Sequence, residues 1–141
     1  MSDSILDHAQ KYYPTPIATA VDGLNRAVSL HERRDRIIDV FRTTMRVLSA
    51  YAIAVRVQFG EGPDGESKTL AALMEGLRRR GLTDGQWVSI VRELLREYKS
   101  VPKTYPIVGM VELFHKKRAK FARLTNELLD MRKSQTVAHG R

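Results

Sequence analysis

The chain has 141 residues, 43% hydrophobic and 28% charged, a size and balance that fit one soluble globular domain. Its formal net charge is +8 and it has no cysteine, which excludes disulfides, thiolate nucleophiles and cysteine-held metals and fits a cytoplasmic setting. No apolar run is long enough to span a bilayer, and the acidic, polar residues 1–10 do not read as a secretion signal.

In chain order, Ser4 to Tyr12 reads as a short helix with Ile5, Leu6 and Ala9 on one side, broken by Tyr13-Pro14. Thr15 then suits a cap and Pro16 the first position of a second helix. That helix runs to about Val28 and should bury Ile17, Val21, Leu24 and Val28. Ser29 to Phe59 follows without a glycine or proline. It predicts a single rod about 45 Å long. Ser29 and Glu32 have the spacing of a capping box. Ile37, Phe41, Thr44, Leu48, Tyr51 and Val55 share one face, widened by Ile38, Met45, Ala52 and Phe59. From Val47 to Val57 the rod is apolar nearly all round, which predicts burial by several neighbours.

Gly60 to Glu66 is a flexible loop by composition. It carries Glu61, Asp64 and Glu66 and lacks the Lys-Ser/Thr pair of a phosphate-binding P-loop. Ser67 caps a helix over Lys68 to Arg80, with Leu70, Leu73, Met74 and Leu77 facing in and Gly81 ending it. Thr83 and Gln86 open a further helix to about Lys99. Its stripe is Trp87, Val88, Val91, Leu94, Leu95 and Tyr98; Arg92, Glu93, Arg96 and Glu97 form its solvent face. Trp87 reads as a core anchor. After a loop around Pro102, Pro106 opens the last helix, with Gly109 and His115 to Arg118 marking a bend or break. Its apolar pattern stops at Met131. No strand pattern appears. The expected fold is all-α, an up-and-down helical bundle of four to five main helices. It forms one domain over residues 1–141, with its core in 14–133 and residues 134–141 as a flexible tail.

The charge is uneven. Residues 103–141 hold nine Lys/Arg against Glu112, Glu127 and Asp130, or +6 of the total +8. A basic end of this kind suits a polyanion such as RNA, or a solvated helix face. His8, His31 and His115 have no metal-ligand spacing, so no metal or cofactor is expected.

Leu128-Leu129-Asp130-Met131-Arg132, followed by Ala138-His139-Gly140, resembles the arginine-then-histidine signature of the HEPN family. Leu82 to Val88 with Arg92 to Leu95 also resembles HEPN-like modules at the N-termini of multidomain bacterial signalling and defence proteins. The resemblance implies an all-helical fold and a homodimer or partner protein, and the lack of a long apolar run implies no membrane association. It implies either a non-catalytic interaction module or a metal-independent endoribonuclease. In the second case His139 would be the acid/base and Arg132 would stabilise the phosphorane oxygens. Lys116, Lys117, Lys120, Arg123 and Lys133 would contact the RNA backbone, with or without cleavage. Without such a role, Arg132 and Lys133 complement the negative end of the last helix.

Overall fold

The computed structural model describes residues 4–116 and 118–139, with side chains throughout except at 118–119 and 135–139. Among these residues every regular element is helical. The chain divides into two compact units, Met1–Val47 and Leu48–Arg141.

In the first unit, α1 (Ile5–Tyr12) packs on α2 (Thr15–Arg26). Ser4 caps α1 through a capping box: its Oγ accepts from the Asp7 N–H at 3.2 Å, and Asp7 accepts from the Ser4 N–H at 3.1 Å. Ala9, Ile17 and Val21 form the core of this pair, and Leu6, Val40 and Val47 pack against it. Gln10 Nε2 donates to Asp22 across the two helices at 3.2 Å. Thr15 is not the expected cap. Pro14 holds that position without a side-chain bond, and Pro16 falls within the first two helical positions. Val28 is not buried either. The helix ends at Arg26, two residues short of it, and Val28 is 95% exposed.

α3 (Leu30–Phe59) begins in the first unit and ends in the second. Ser29 Oγ accepts from the Glu32 N–H at 3.0 Å, while the Glu32 carboxylate reaches one residue further back, to the Val28 N–H. The buried stripe is Ile38, Met45, Ser49, Ala52 and Val55. Ile37 and Tyr51, expected at its centre, are on its exposed edge, and Val57 and Phe59 face water. The rod is therefore covered on one side, not all round.

In the second unit, the helix buried most fully is α5 (Asp84–Arg96), packed between α4 (Lys68–Arg80) and α6 (Met110–His115); α6 in turn meets α7 (Arg118–His139). Val88, Ile90, Val91, Leu94 and Leu95 of α5 are buried, as are Leu70, Leu73, Met110, Val111 and Phe114. The caps follow the sequence. Ser67 accepts from the Leu70 N–H, Thr83 and Gln86 form a capping box, and Gly81 (φ 74°) ends α4. Trp87 is half-buried rather than a full core anchor, and its carbonyl accepts from Ser49 Oγ at 3.1 Å. The last helix starts at Met110, not Pro106: Gly109 (φ 84°) turns the chain into it. It breaks after His115, and α7 then runs to His139.

The Pro102–Thr104 3-10 turn leads Tyr105 inward. Tyr105 is 3% exposed, its ring stands edge-on to Tyr98 at 5.0 Å, and its hydroxyl has no hydrogen-bond partner. Burial, then Tyr51, Tyr98 and Glu97, push this hydroxyl well above its ordinary 10.0. A raised tyrosine contributes stability below its unfolded value and loses it as pH climbs toward the folded one. Tyr105→Phe is expected to gain about 1 kcal/mol near neutrality by removing an unsatisfied buried donor. Between neutrality and about pH 11 it should lose less stability than the parent chain. Urea unfolding at the two pH values checks both; equal losses would refute the assignment.

Candidate functional site

Arg132 and His139 both lie on α7. Continuous helix separates their backbones by about 10 Å along the axis. The His139 side chain and Lys117 lie outside the described residues. The Arg132 guanidinium forms an ion pair with Asp84, whose side chain is 5% exposed while that of Arg132 is 42% exposed. Asp84 is the first residue of α5, directly after the Thr83 cap. The positive end of α5 favours its carboxylate, and Arg132 adds a fixed cation. Arg132 thus ties α7 to the start of α5.

The expected RNA-contacting cations are spread along α6 and α7, and most have a carboxylate within one turn. Lys116 meets Glu112 at 3.2 Å, Arg123 meets Glu127 at 3.7 Å and Lys133 meets Asp130 at 3.9 Å. Lys120 is exposed. Such i,i+3 and i,i+4 pairs are weak and screened, but they lower the local positive potential.

Two clusters lay outside the sequence expectation. The first joins α3, the 60–66 loop and the end of α5. Glu97, expected on the solvent face, is 1% exposed. One of its oxygens meets Arg56 Nη1, and the other accepts from the Gly62 N–H at 2.8 Å. Arg56 also pairs with Glu66. The Asp64 N–H donates to the Glu97 carbonyl at 2.9 Å, and the Asp64 carboxylate accepts from the Ser100 N–H at 2.8 Å and from its hydroxyl. Those Ser100 bonds hold the Asp64 carboxyl below the usual range. The loop read as flexible is thus bonded at several points to Glu97 and Ser100, just past the end of α5.

The second cluster is a concavity of about 230 Å³ lined by Arg92, Glu93, Arg96, Lys99 and His115. His115 Nε2 lies 3.1 Å from the Arg92 carbonyl, which can only accept, so this nitrogen carries a proton. The sequence signal for this cluster was weak, since its cations come from two helices and a turn. Among the described residues no group of His, Asp and Glu is placed to hold a metal, and no helix is long and apolar enough to cross a membrane. Comparison of the chain with protein-family models, curated proteins and solved structures finds no match.

Proposed function

We propose that this chain is a non-catalytic, HEPN-like helical interaction module of four to five main helices. It acts by contact with another protein surface, a second copy of the chain being the first to test, within a larger bacterial signalling or defence protein. The observation that supports the non-catalytic reading is the Arg132–Asp84 ion pair. A guanidinium engaged by a buried carboxylate is partly neutralised, and moving it to a phosphorane would take from the buried Asp84 a cation that helps to hold its charge. Arg132 then serves the fold.

The alternative is a metal-independent endoribonuclease using Arg132 and His139, and a third reading is RNA binding through Lys116, Lys120, Arg123 and Lys133 without cleavage. The first two are separated by one set of measurements. Structured and single-stranded RNA incubated with the chain in EDTA should remain intact. Arg132→Ala should lower unfolding stability by about 1–2 kcal/mol, a value reduced by the partial exposure of Arg132. Cleavage abolished by both Arg132→Ala and His139→Ala would overturn the proposal. Light scattering at micromolar concentration tests self-association, and a monomer there would direct the search to a different partner protein.

A further inference from the structure

We propose that Arg92, Arg96, Lys99 and His115 form a pocket for a phosphate group, carried by a free nucleotide or by a single-stranded nucleic acid. Arg92 and Arg96 stand one turn apart on α5, Lys99 lies in the turn that follows, and His115 ends α6. All four line one concavity, together with a single carboxylate, Glu93. A second concavity, lined by Asp64, Arg96, Lys99 and Ser100, shares two of these cations.

The ordinary explanation for cations at the end of a helix is that they satisfy its last carbonyls. Here several carbonyls at this end have other partners. The Arg92 carbonyl takes His115 Nε2, the Leu95 carbonyl takes the Tyr98 N–H, the Arg96 carbonyl takes the Lys99 N–H, and the Glu97 carbonyl takes the Asp64 N–H. At these four carbonyls the guanidinium and ammonium groups are not the caps. The two nearby carboxylates already accept hydrogen bonds. Glu93 accepts from Ser67 Oγ at 2.6 Å and meets Arg96 only at 3.6 Å. Asp64 is held by Ser100. Neither Arg92 nor Lys99 is in a salt bridge among the described residues.

Three cations line the first concavity with one carboxylate, so its local charge is positive. Arginine supplies planar paired donors suited to phosphate oxygens, and lysine supplies a mobile point charge. A space of about 230 Å³ accommodates a phosphate group and its ester oxygens, not a duplex. The exposed Lys120 and Arg123 of α7 are not part of it.

The test uses the whole chain, titrated with inorganic phosphate, a nucleoside 5′-monophosphate and a short single-stranded RNA, and followed by backbone NMR shifts and calorimetry. The probes should shift resonances at residues 92–100 and 115. Arg92→Gln/Lys99→Gln should weaken binding at least about tenfold, equal to about 1.4 kcal/mol, with the circular dichroism of the parent. Lys120→Gln/Arg123→Gln should leave binding at the pocket unchanged. Equal affinity for nucleotide and RNA assigns a free phosphate ligand. Tighter RNA binding that weakens steeply with salt assigns a nucleic-acid chain. No shift at these residues with any probe, or identical binding by Arg92→Gln/Lys99→Gln, overturns the proposal.

Discussion

Replacing Arg56 by Met is expected to cost the Leu48–Arg141 unit about 3–5 kcal/mol. The reason is the place of its partner. The Glu97 side chain is 2% exposed and Arg56 is 20% exposed, so the carboxylate cannot recover water when its cation is removed. The Gly62 N–H would remain as a neutral donor to it, too little to offset a buried charge. Glu66, 38% exposed, would return to solvent at small cost. The double replacement Arg56→Met/Glu97→Leu is therefore expected to be much less harmful than the sum of its parts, since an apolar pair of similar volume needs no desolvated charge. Trp87, the only tryptophan, lies in the same unit and reports its unfolding by fluorescence in urea. A loss below about 1 kcal/mol for Arg56→Met would show that Glu97 is solvated after all.

This ion pair also shows what could be read in the sequence and what could not. Ser67, Thr83 with Gln86, and Gly81 were legible because a cap involves residues only three or four apart. The helical character of the chain was legible for the same local reason. The centre of the buried stripe of α3 was not. Its buried stripe passes through Met45, Ser49 and Ala52, and a serine and an alanine carry little hydrophobic signal, so the eye moves to Leu48 and Tyr51 one residue away. Arg56 continues that stripe at the next turn. Likewise Ile90 and Leu94 of α5 and Glu97, its C-cap, lie at helical spacing and all three are buried. A charge of each sign standing on an apolar stripe was a readable sign of a buried pair. The Glu93 and Arg96 neighbours of Glu97 hid it by suggesting an ordinary surface pair. The Asp84–Arg132 contact was not readable at all, because nothing local relates two residues that far apart in the chain. Arg92, Arg96, Lys99 and His115 likewise converge only when α6 packs on α5.

Gly62→Ala is expected to destabilise the same unit by about 2–4 kcal/mol. A Cβ on Gly62 would lie 2.7 Å from Glu97 Cβ, 2.8 Å from the Glu97 carbonyl oxygen and 2.8 Å from the Tyr98 ring. The first two belong to the end of α5 and cannot swing aside as a flexible side-chain tip would. The loop must move instead, and its movement breaks the Gly62 N–H bond to the buried carboxylate and the Asp64 N–H bond to the Glu97 carbonyl. A hydrogen bond to a charged group contributes about 1.5–3 kcal/mol, and overpacking adds about 1–3 kcal/mol, with partial relaxation reducing the sum. Backbone strain is not the cause, since Gly62 does not have a positive φ, unlike Gly60, Gly65, Gly81 and Gly109. Two controls separate the effects. Gly85→Ala has open space and a helical backbone, so it should be neutral or slightly stabilising. Gly60→Ala also meets nothing within 4 Å but sits at φ 77°, so it should lose about 1 kcal/mol through conformation alone. If Gly62→Ala falls within about 0.5 kcal/mol of the parent, the loop does not approach α5 this closely. The Gly62 bond to Glu97 would then give no reason to expect so large a loss from Arg56→Met.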